Sequence, residues 1–390
     1  MKVRLDEIIE KTFAGEWGSD DVDNNGIPVL RTTNFTNDGT VNYSDVVTRK
    51  ITKENINHKF LKKGDILIEK SGGSNKQPVG RVVYFVGEEN KFLFNNFTGL
   101  IRVKNYDKWS SEYIFYSLFV NYLNGSTKKF ENKTTGLHNL KLDSYLKSVE
   151  ITERSLKEQQ AIVNVLNHLN KIIQKRKKQL KKLDELVKSR FIEMFGDPVK
   201  NEKNLPLEQL SKIGILERGK SQHRPRNAPE LLGGPYPLIQ TGDVSNSNIY
   251  ITTYSNTYSE LGLKQSKLWE PGTLCITIAA NIAQTAILTF KACFPDSVVG
   301  FIPNNNTNII FIHYWFEFFQ KVLEEQAPQV AQKNINLKIL SELKVILPSI
   351  ELQNEFADFV EQTDKSKLEI QKSLDKLEIL KKSLMQKYFG

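Results

Sequence analysis

The sequence predicts an α+β chain made of two β-rich globular domains, each followed by a long helix, as a pseudo-two-fold internal repeat. The two helices are expected to pair as an intramolecular antiparallel coiled coil. Three observations carry this reading. The chain repeats itself at a spacing of 194 residues, each repeat closes in a heptad-patterned segment, and each holds short β-prone runs bounded by turn residues. The domains are expected at 1–150 and 197–347, and the helices at 151–196 and 348–390.

The β-prone runs come first in each half. ILIEK and GRVVYFV in the first, and LCITIA and TAILTF in the second, are rich in β-branched residues and bounded by Gly, Pro, Asn or Ser. LKKGDILI (61–68) resembles LWEPGTLCI (268–276), and TGLIRV (98–103) resembles VGFIPN (299–304). Each globular part then carries an aromatic helix, YIFYSLFVNYL (113–123) and IHYWFEFFQKVL (312–323). Aromatics at helical spacing belong to a core.

The helices close each half. LDELVKSRFIEMFG (183–196) matches LEILKKSLMQKYFG (377–390), with Leu183 on Leu377, Ser189 on Ser383 and Phe195-Gly196 on Phe389-Gly390. Upstream, SLKEQQAIVNVLNHLNK (155–171) aligns with SIELQNEFADFVEQTDK (349–365), and Gln159 meets Gln353. Steps of four and three pick out Leu166, Leu169, Ile173, Arg176, Leu180, Leu183, Val187, Arg190 and Met194 in the first helix. The second gives Val360, Thr363, Lys367, Ile370, Leu374, Leu377, Lys381, Leu384 and Tyr388. This is a heptad seam. Where one seam is polar the other is usually apolar, as with Arg176 against Ile370 and Arg190 against Leu384, so the helices are expected to pair within one chain. Each spans roughly 38 residues, about 57 Å at 1.5 Å per residue. Gly196-Asp197-Pro198 ends the first.

Composition sets the class. The chain has 390 residues, 39% hydrophobic and 25% charged, which suits two or more globular domains. A net charge of +9 favours an anionic partner such as nucleic acid. Cys275 and Cys293 have no paired spacing, so neither a disulfide framework nor a zinc site is expected. MKVRLDEIIEKTF lacks the apolar centre of a signal peptide, and no run is long enough to span a membrane, so a cytoplasmic protein is expected.

The motifs of catalysis are missing. GILERGKS (214–221) fits the phosphate-loop pattern, but QHRPRNAPE follows it, with prolines and no helical period. A loop contacting DNA phosphates is the better reading. None of the five histidines has a ligand partner at metal spacing, no Gly-x-Ser-x-Gly elbow occurs, and no Asn/Asp-Pro-Pro-Tyr methyltransferase motif is present. No catalytic residue and no metal ligand are assigned.

What remains is polar, basic loops. EKSGGSNKQPVGR (69–81) offers Lys70, Ser71, Ser74, Lys76 and Arg81. NGSTKKFENKTTGLHN (124–139) offers Lys128, Lys129, Lys133, His138 and Asn139. In the second half RGKSQHRPRN (218–227) carries Arg218, Lys220, Gln222, Arg224 and Arg226. IAANIAQ (278–284) carries Asn281, and QVAQKNIN (329–336) carries Gln332 and Lys333. Lys and Arg can hold phosphates, while Asn, Gln, Ser and Arg can read base edges. KIIQKRKKQLKK (171–182) has seven basic residues in twelve, mostly the solvated face of a helix.

Two β-rich domains, each followed by a coiled-coil helix that starts SLKEQQAIVNVL or SIELQNEFADFV and ends FIEMFGDP or LMQKYFG, resemble the specificity subunit of type I restriction–modification systems. KKGDILIEKSGG with GLIRV, and PGTLCITIAAN with VGFIPN, look like its target recognition domains. The resemblance covers essentially the whole chain. It implies a non-catalytic subunit of a bacterial or archaeal cytoplasm whose domains each read half of a split, asymmetric site in double-stranded DNA. The helices would set the separation of the halves and dock two modification subunits, which supply S-adenosylmethionine and methylate adenine N6. A restriction subunit using ATP and Mg would complete the complex in systems that have one. Two other readings stay open: the specificity component of another two-part restriction enzyme, and a stand-alone DNA-binding regulator.

Overall fold

The computed structural model describes residues 1–134, 137–223, 225–279, 282–326 and 335–390. The chain divides into two compact units, Met1–Arg176 with Ser373–Gly390, and Lys177–Lys372. Each unit therefore holds one globular part, a segment of one long helix and a segment of the other.

In the first unit, strands β1 (Lys2–Arg4), β2 (Ile66–Glu69), β3 (Ser71–Gly73), β4 (Val82–Tyr84) and β5 (Thr98–Ile101) lead to helix α1 (Ser111–Leu123). Strands β6 (Glu131–Thr134), β7 (Leu137–Leu140) and β8 (Glu150–Thr152) follow, then α2 (Leu156–Phe195). One antiparallel sheet runs Phe13–Ala14, β5, β2, β4. Every residue of β2 and β5 is buried, because both faces of the sheet are covered and no polar alternation survives. A second sheet joins Ser19–Asp20, Val47–Lys50, Ile27–Leu30 and Leu93–Phe94, the last pair parallel. A third, smaller sheet has the order β6, β7, β3. β1 and β8 pair antiparallel, so the globular part begins and ends at one place, with Lys2 opposite Thr152.

The second unit repeats the plan. Strands β9 (Leu207–Gln209), β10 (Gly214–Arg218), β11 (Leu274–Thr277), β12 (Thr285–Leu288) and β13 (Val298–Pro303) precede α3 (Ile309–Gln326). β14 (Lys344–Ile346) and α4 (Ile350–Phe389) complete it. Its main sheet runs β10, β13, β11, β12, Tyr250–Ile251. Its second sheet again contains a parallel pair, Leu238 beside Cys293, as Val29 lies beside Leu93 in the first unit. β9 and β14 pair as β1 and β8 do. The mixed α+β class and its duplication are as expected. The β-prone runs ILIEK, GRVVYFV, LCITIA and TAILTF supply β2, β4, β11 and β12.

Helices α2 and α4 have 40 residues each, or about 60 Å at 1.5 Å per residue. From residue 174 to 189 the only positions of α2 shielded from solvent are Arg176, Leu180, Leu183 and Val187. Leu166, Leu169 and Ile173 before them are buried. In α4, Val360 and Leu374 are buried, and Lys367, Ile370, Leu377 and Leu384 are half-buried. In the first unit Ile162, Val163 and Leu166 share a core with Met385, against which Leu384, Tyr388 and Phe389 pack. In the second, Val187, Phe191 and Phe195 share a core with Phe356 and Val360. The first turns of α2 thus meet the last of α4 in one unit, and the last of α2 meet the first of α4 in the other.

A polar cluster interrupts the seam in the second unit. Lys367 Nζ lies 2.7 Å from Asp184 Oδ1 and 3.3 Å from Asp364 Oδ1. Burial raises the pKa of Asp364, while the two carboxylates outweigh burial at Lys367 and hold its ammonium above the usual value. A polar contact at a seam position favours one register over its neighbours, at some cost in stability.

Candidate nucleic-acid interface

In the first unit the two polar loops converge on the sheet β6–β7–β3. Asn132 lies opposite Asn139, and Lys133 opposite His138. β7 then pairs with β3, His138 opposite Gly73 and Asn139 opposite Ser71. The register shift leaves Gly72 unpaired, a bulge at φ +101° that an L side chain rarely adopts. Its effect is to bring the Ser71 hydroxyl to Asn139 Oδ1, to which it donates.

Alternation gives this sheet two faces. His138 and Leu140 are buried on one, where His138 Nδ1 lies 2.8 Å from Glu131 Oε1. On the other lie Ser71, Asn139, Asn132 and Leu137. Asn132 and Leu137 are exposed, and Asn139 and Ser71 half-exposed. Around the sheet Ser74 closes a tight turn, its Oγ accepting from Gln77 N at 3.1 Å, and leaves Lys76 exposed. Lys128 and Lys129 are exposed just before β6, with Lys129 5.2 Å from the Phe130 ring.

Three expectations for this unit need correcting. His138 is only 8% exposed and is committed to Glu131, so it supports the hairpin from beneath. Arg81 is buried and bonded to the carbonyls of Phe35 at 2.9 Å and Thr32 at 2.8 Å, with Glu69 at 3.3 Å. It ties the sheet to a neighbouring loop. Lys70 is half-buried, and burial lowers its pKa against the opposing pull of Asp143. It is a weaker surface cation than its place in a polar loop suggests. The side chain of Lys133 lies outside the described residues.

In the second unit the 218–227 loop leaves β10 at Arg218. Gly219 has no room for a Cβ, which would fall 2.4 Å from the Phe294 and Pro295 carbonyls. Gln265 Oε1 accepts from the backbone N–H of Gln222 at 2.6 Å and of His223 at 3.1 Å, so a side chain shapes the turn. Three described cations of the loop already have partners. Arg218 Nε donates to the Asp296 carbonyl, Arg226 Nη2 lies 2.5 Å from Asp296 Oδ1, and Lys220 lies 3.9 Å from Glu217. Arg218, Lys220, Gln222 and Arg226 are nonetheless all exposed. Among the described residues no α-helix begins between Ser221 and Thr241, so the pattern at 214–221 lacks the helix start a nucleotide loop needs. Arg224, Asn281, Gln332 and Lys333 lie outside the described residues.

An open cleft of about 870 Å³ in the second unit is walled by Asp184, Lys188, Tyr250, His313, Glu317 and Lys367, among others; Ala283 and Gln284 of the 278–284 loop line it, while Arg218, Lys220, Gln222 and Arg226 do not. Among the described residues no group of three His, Cys, Asp or Glu could hold a metal, and no helix is long and apolar enough to cross a membrane. Sequence reasoning missed Asn132 and Leu137. The Thr135-Gly136 step between two short polar runs was the available hairpin signal.

Fold and repeat together define a duplicated α+β module carried on two long helices. Residues 1–183 and 203–380 match the type I restriction modification DNA specificity domain. The chain belongs to that family. A protein of Methanocaldococcus jannaschii described as the type I restriction enzyme MjaX specificity subunit is 23% identical over 397 aligned residues, covering 96% of this chain and 90% of its own. Two solved structures share the fold. The S subunit of a type I restriction–modification system from M. genitalium superposes with a TM-score of 0.58 and 16% identity, covering 100% of this chain and 96% of its own. A chain from a structural study of complex assembly and conformational transition of the type I R-M system gives 0.61 and 16%, covering 100% and 97%.

Proposed function

We propose that this chain is the DNA-recognition subunit of a type I restriction–modification complex. Each globular part reads one half of a split, asymmetric site, and the two long helices set the distance between the halves. The duplicated plan favours this reading, because two divergent loop sets on repeated scaffolds can read two unlike half-sites from one chain. The same repetition offers two similar docking surfaces, suited to two adenine-N6 methyltransferase subunits. Those partners carry S-adenosylmethionine, and a restriction subunit, where present, brings ATP and Mg chemistry. Target adenines flip into the methyltransferase, not into this chain.

The observation that carries the proposal is the family match across both repeats, joined to the exposed amide and lysine groups of the first unit's loops. The test is expression with the neighbouring methyltransferase in a methylation-free host and mapping of modified adenines. One split motif, modified on both strands with a fixed spacer, supports the reading. A soluble, associated pair that methylates no motif favours a DNA-binding regulator instead.

A further inference from the structure

We propose that strands β6 and β7 form the base-reading ribbon of the first unit, and that this ribbon reads an A·T-containing stretch in the major groove. The proposal rests on the DNA-recognition reading above and adds to it the element and the bases read.

A two-stranded antiparallel ribbon fits the major groove of B-DNA. The inner face of this one is fixed to the core through His138, Glu131 and Leu140. Its outer face presents two amides and a leucine. Asn132 and Asn139 are cross-strand partners and stand side by side. Asn amides pair with adenine through N6 and N7. Asn139 is oriented beforehand, since Ser71 donates to its Oδ1, a contact the Gly72 bulge makes possible. An amide held in place loses less freedom on binding. Leu137 is 51% exposed on the same face, two residues from Asn139. A lone exposed leucine beside two amides has a counterpart in the thymine methyl, which lines the major groove and nowhere else in the duplex. Lys76 and Lys128, exposed on neighbouring turns, are placed as phosphate anchors.

The test uses the full chain assembled with its methyltransferase and a set of duplexes carrying every base pair at each position of both half-sites. Binding is expressed as ratios among duplexes, so that a uniform loss of affinity cancels. For Asn132→Ala and Leu137→Ala, the preference for A·T at one or two positions of a single half-site is expected to fall by about tenfold. The other half-site keeps its preferences. Asn139→Ala and Ser71→Ala should relax one position together, because the serine acts through the asparagine. Unchanged ratios in Asn132→Ala and Leu137→Ala overturn the proposal. So does a flattening at all positions of both half-sites, which marks general damage to the domain. Wild-type complex with no sequence preference refutes the DNA-recognition reading itself.

Discussion

Gln353 repeats, 194 residues later, the bonds that Gln159 makes. Both side chains are 0% exposed. Gln159 Oε1 accepts from Ser110 N at 2.9 Å, while its Nε2 donates to the Lys108 and Arg154 carbonyls at 2.9 Å each. Gln353 Oε1 accepts from Asn308 N at 2.9 Å, and its Nε2 donates to the carbonyls of Asn306 at 3.2 Å and Pro348 at 2.8 Å. Each glutamine bolts the start of a long helix to the start of an aromatic helix. The far ends are held by phenylalanines: Phe195 packs 4.9 Å from Phe311, and Phe389 packs 5.1 Å from Tyr113. The halves end alike because each final Phe-Gly seats in an aromatic helix of the other half of the sequence.

Replacing either glutamine by alanine leaves a buried N–H and two carbonyls without partners. Unsatisfied buried groups cost about 1–3 kcal/mol each, so Gln159→Ala and Gln353→Ala are each expected to destabilise by about 3 kcal/mol. The neighbouring exposed Gln160 supplies the control, with a change of Gln160→Ala within about 0.5 kcal/mol. Denaturant unfolding of the three variants measures this. Equal effects at positions 159 and 160 would deny the glutamine its anchoring part.

Acid should weaken the second unit through His313. This imidazole is buried, with Nδ1 2.9 Å from Thr285 Oγ1, and burial, helped by the Lys188 charge, pushes its pKa down to about 4. The unfolded chain takes up that proton near pH ~6.5. Between those values the unfolded state binds more protons, so the contribution is full above pH ~6.5 and is lost as pH falls toward ~4. The loss approaches about 3 kcal/mol at the acid end. Melting temperatures of wild type and His313→Gln, measured from pH 7 to 5, should converge toward acid. Parallel curves would assign the acid sensitivity to other groups.

Loop cations should divide by whether they already have partners. Lys76→Ala and Lys128→Ala are expected to weaken all duplexes alike and to reduce the salt dependence by about one counterion each. Arg226, held by Asp296 at 2.5 Å, should change the salt slope by less. Titrations of the complex with DNA at several salt concentrations compare the three, and a larger change for Arg226→Ala would invert the assignment.

The duplication and the long helices were legible because each rests on local periodicity or on self-similarity. Gln159 and Gln353 aligned in the sequence, yet nothing there marked them as buried, since two of the three partners of each lie 45 to 51 residues away. The loop residues were less legible for a related reason. Arg81 and Lys76 look equivalent in EKSGGSNKQPVGR, and only the Phe35 and Thr32 carbonyls decide that Arg81 turns inward. His138 and Asn139 are adjacent, and strand alternation sends one to the core and the other toward solvent. That choice is fixed by pairing with β3, more than 60 residues earlier.

On the proposed reading, the helices measure the distance between two half-sites. Deleting residues 174–180 and 368–374 removes one heptad from each helix and keeps the seam in phase. At 1.5 Å per residue the loss is about 10.5 Å, or about three base pairs at 3.4 Å each. Adenine methylation mapped for this variant, expressed with its methyltransferase, is predicted to show the same two half-sites with a spacer shorter by about three. The same motif with an unchanged spacer would show that the helices do not set the spacing.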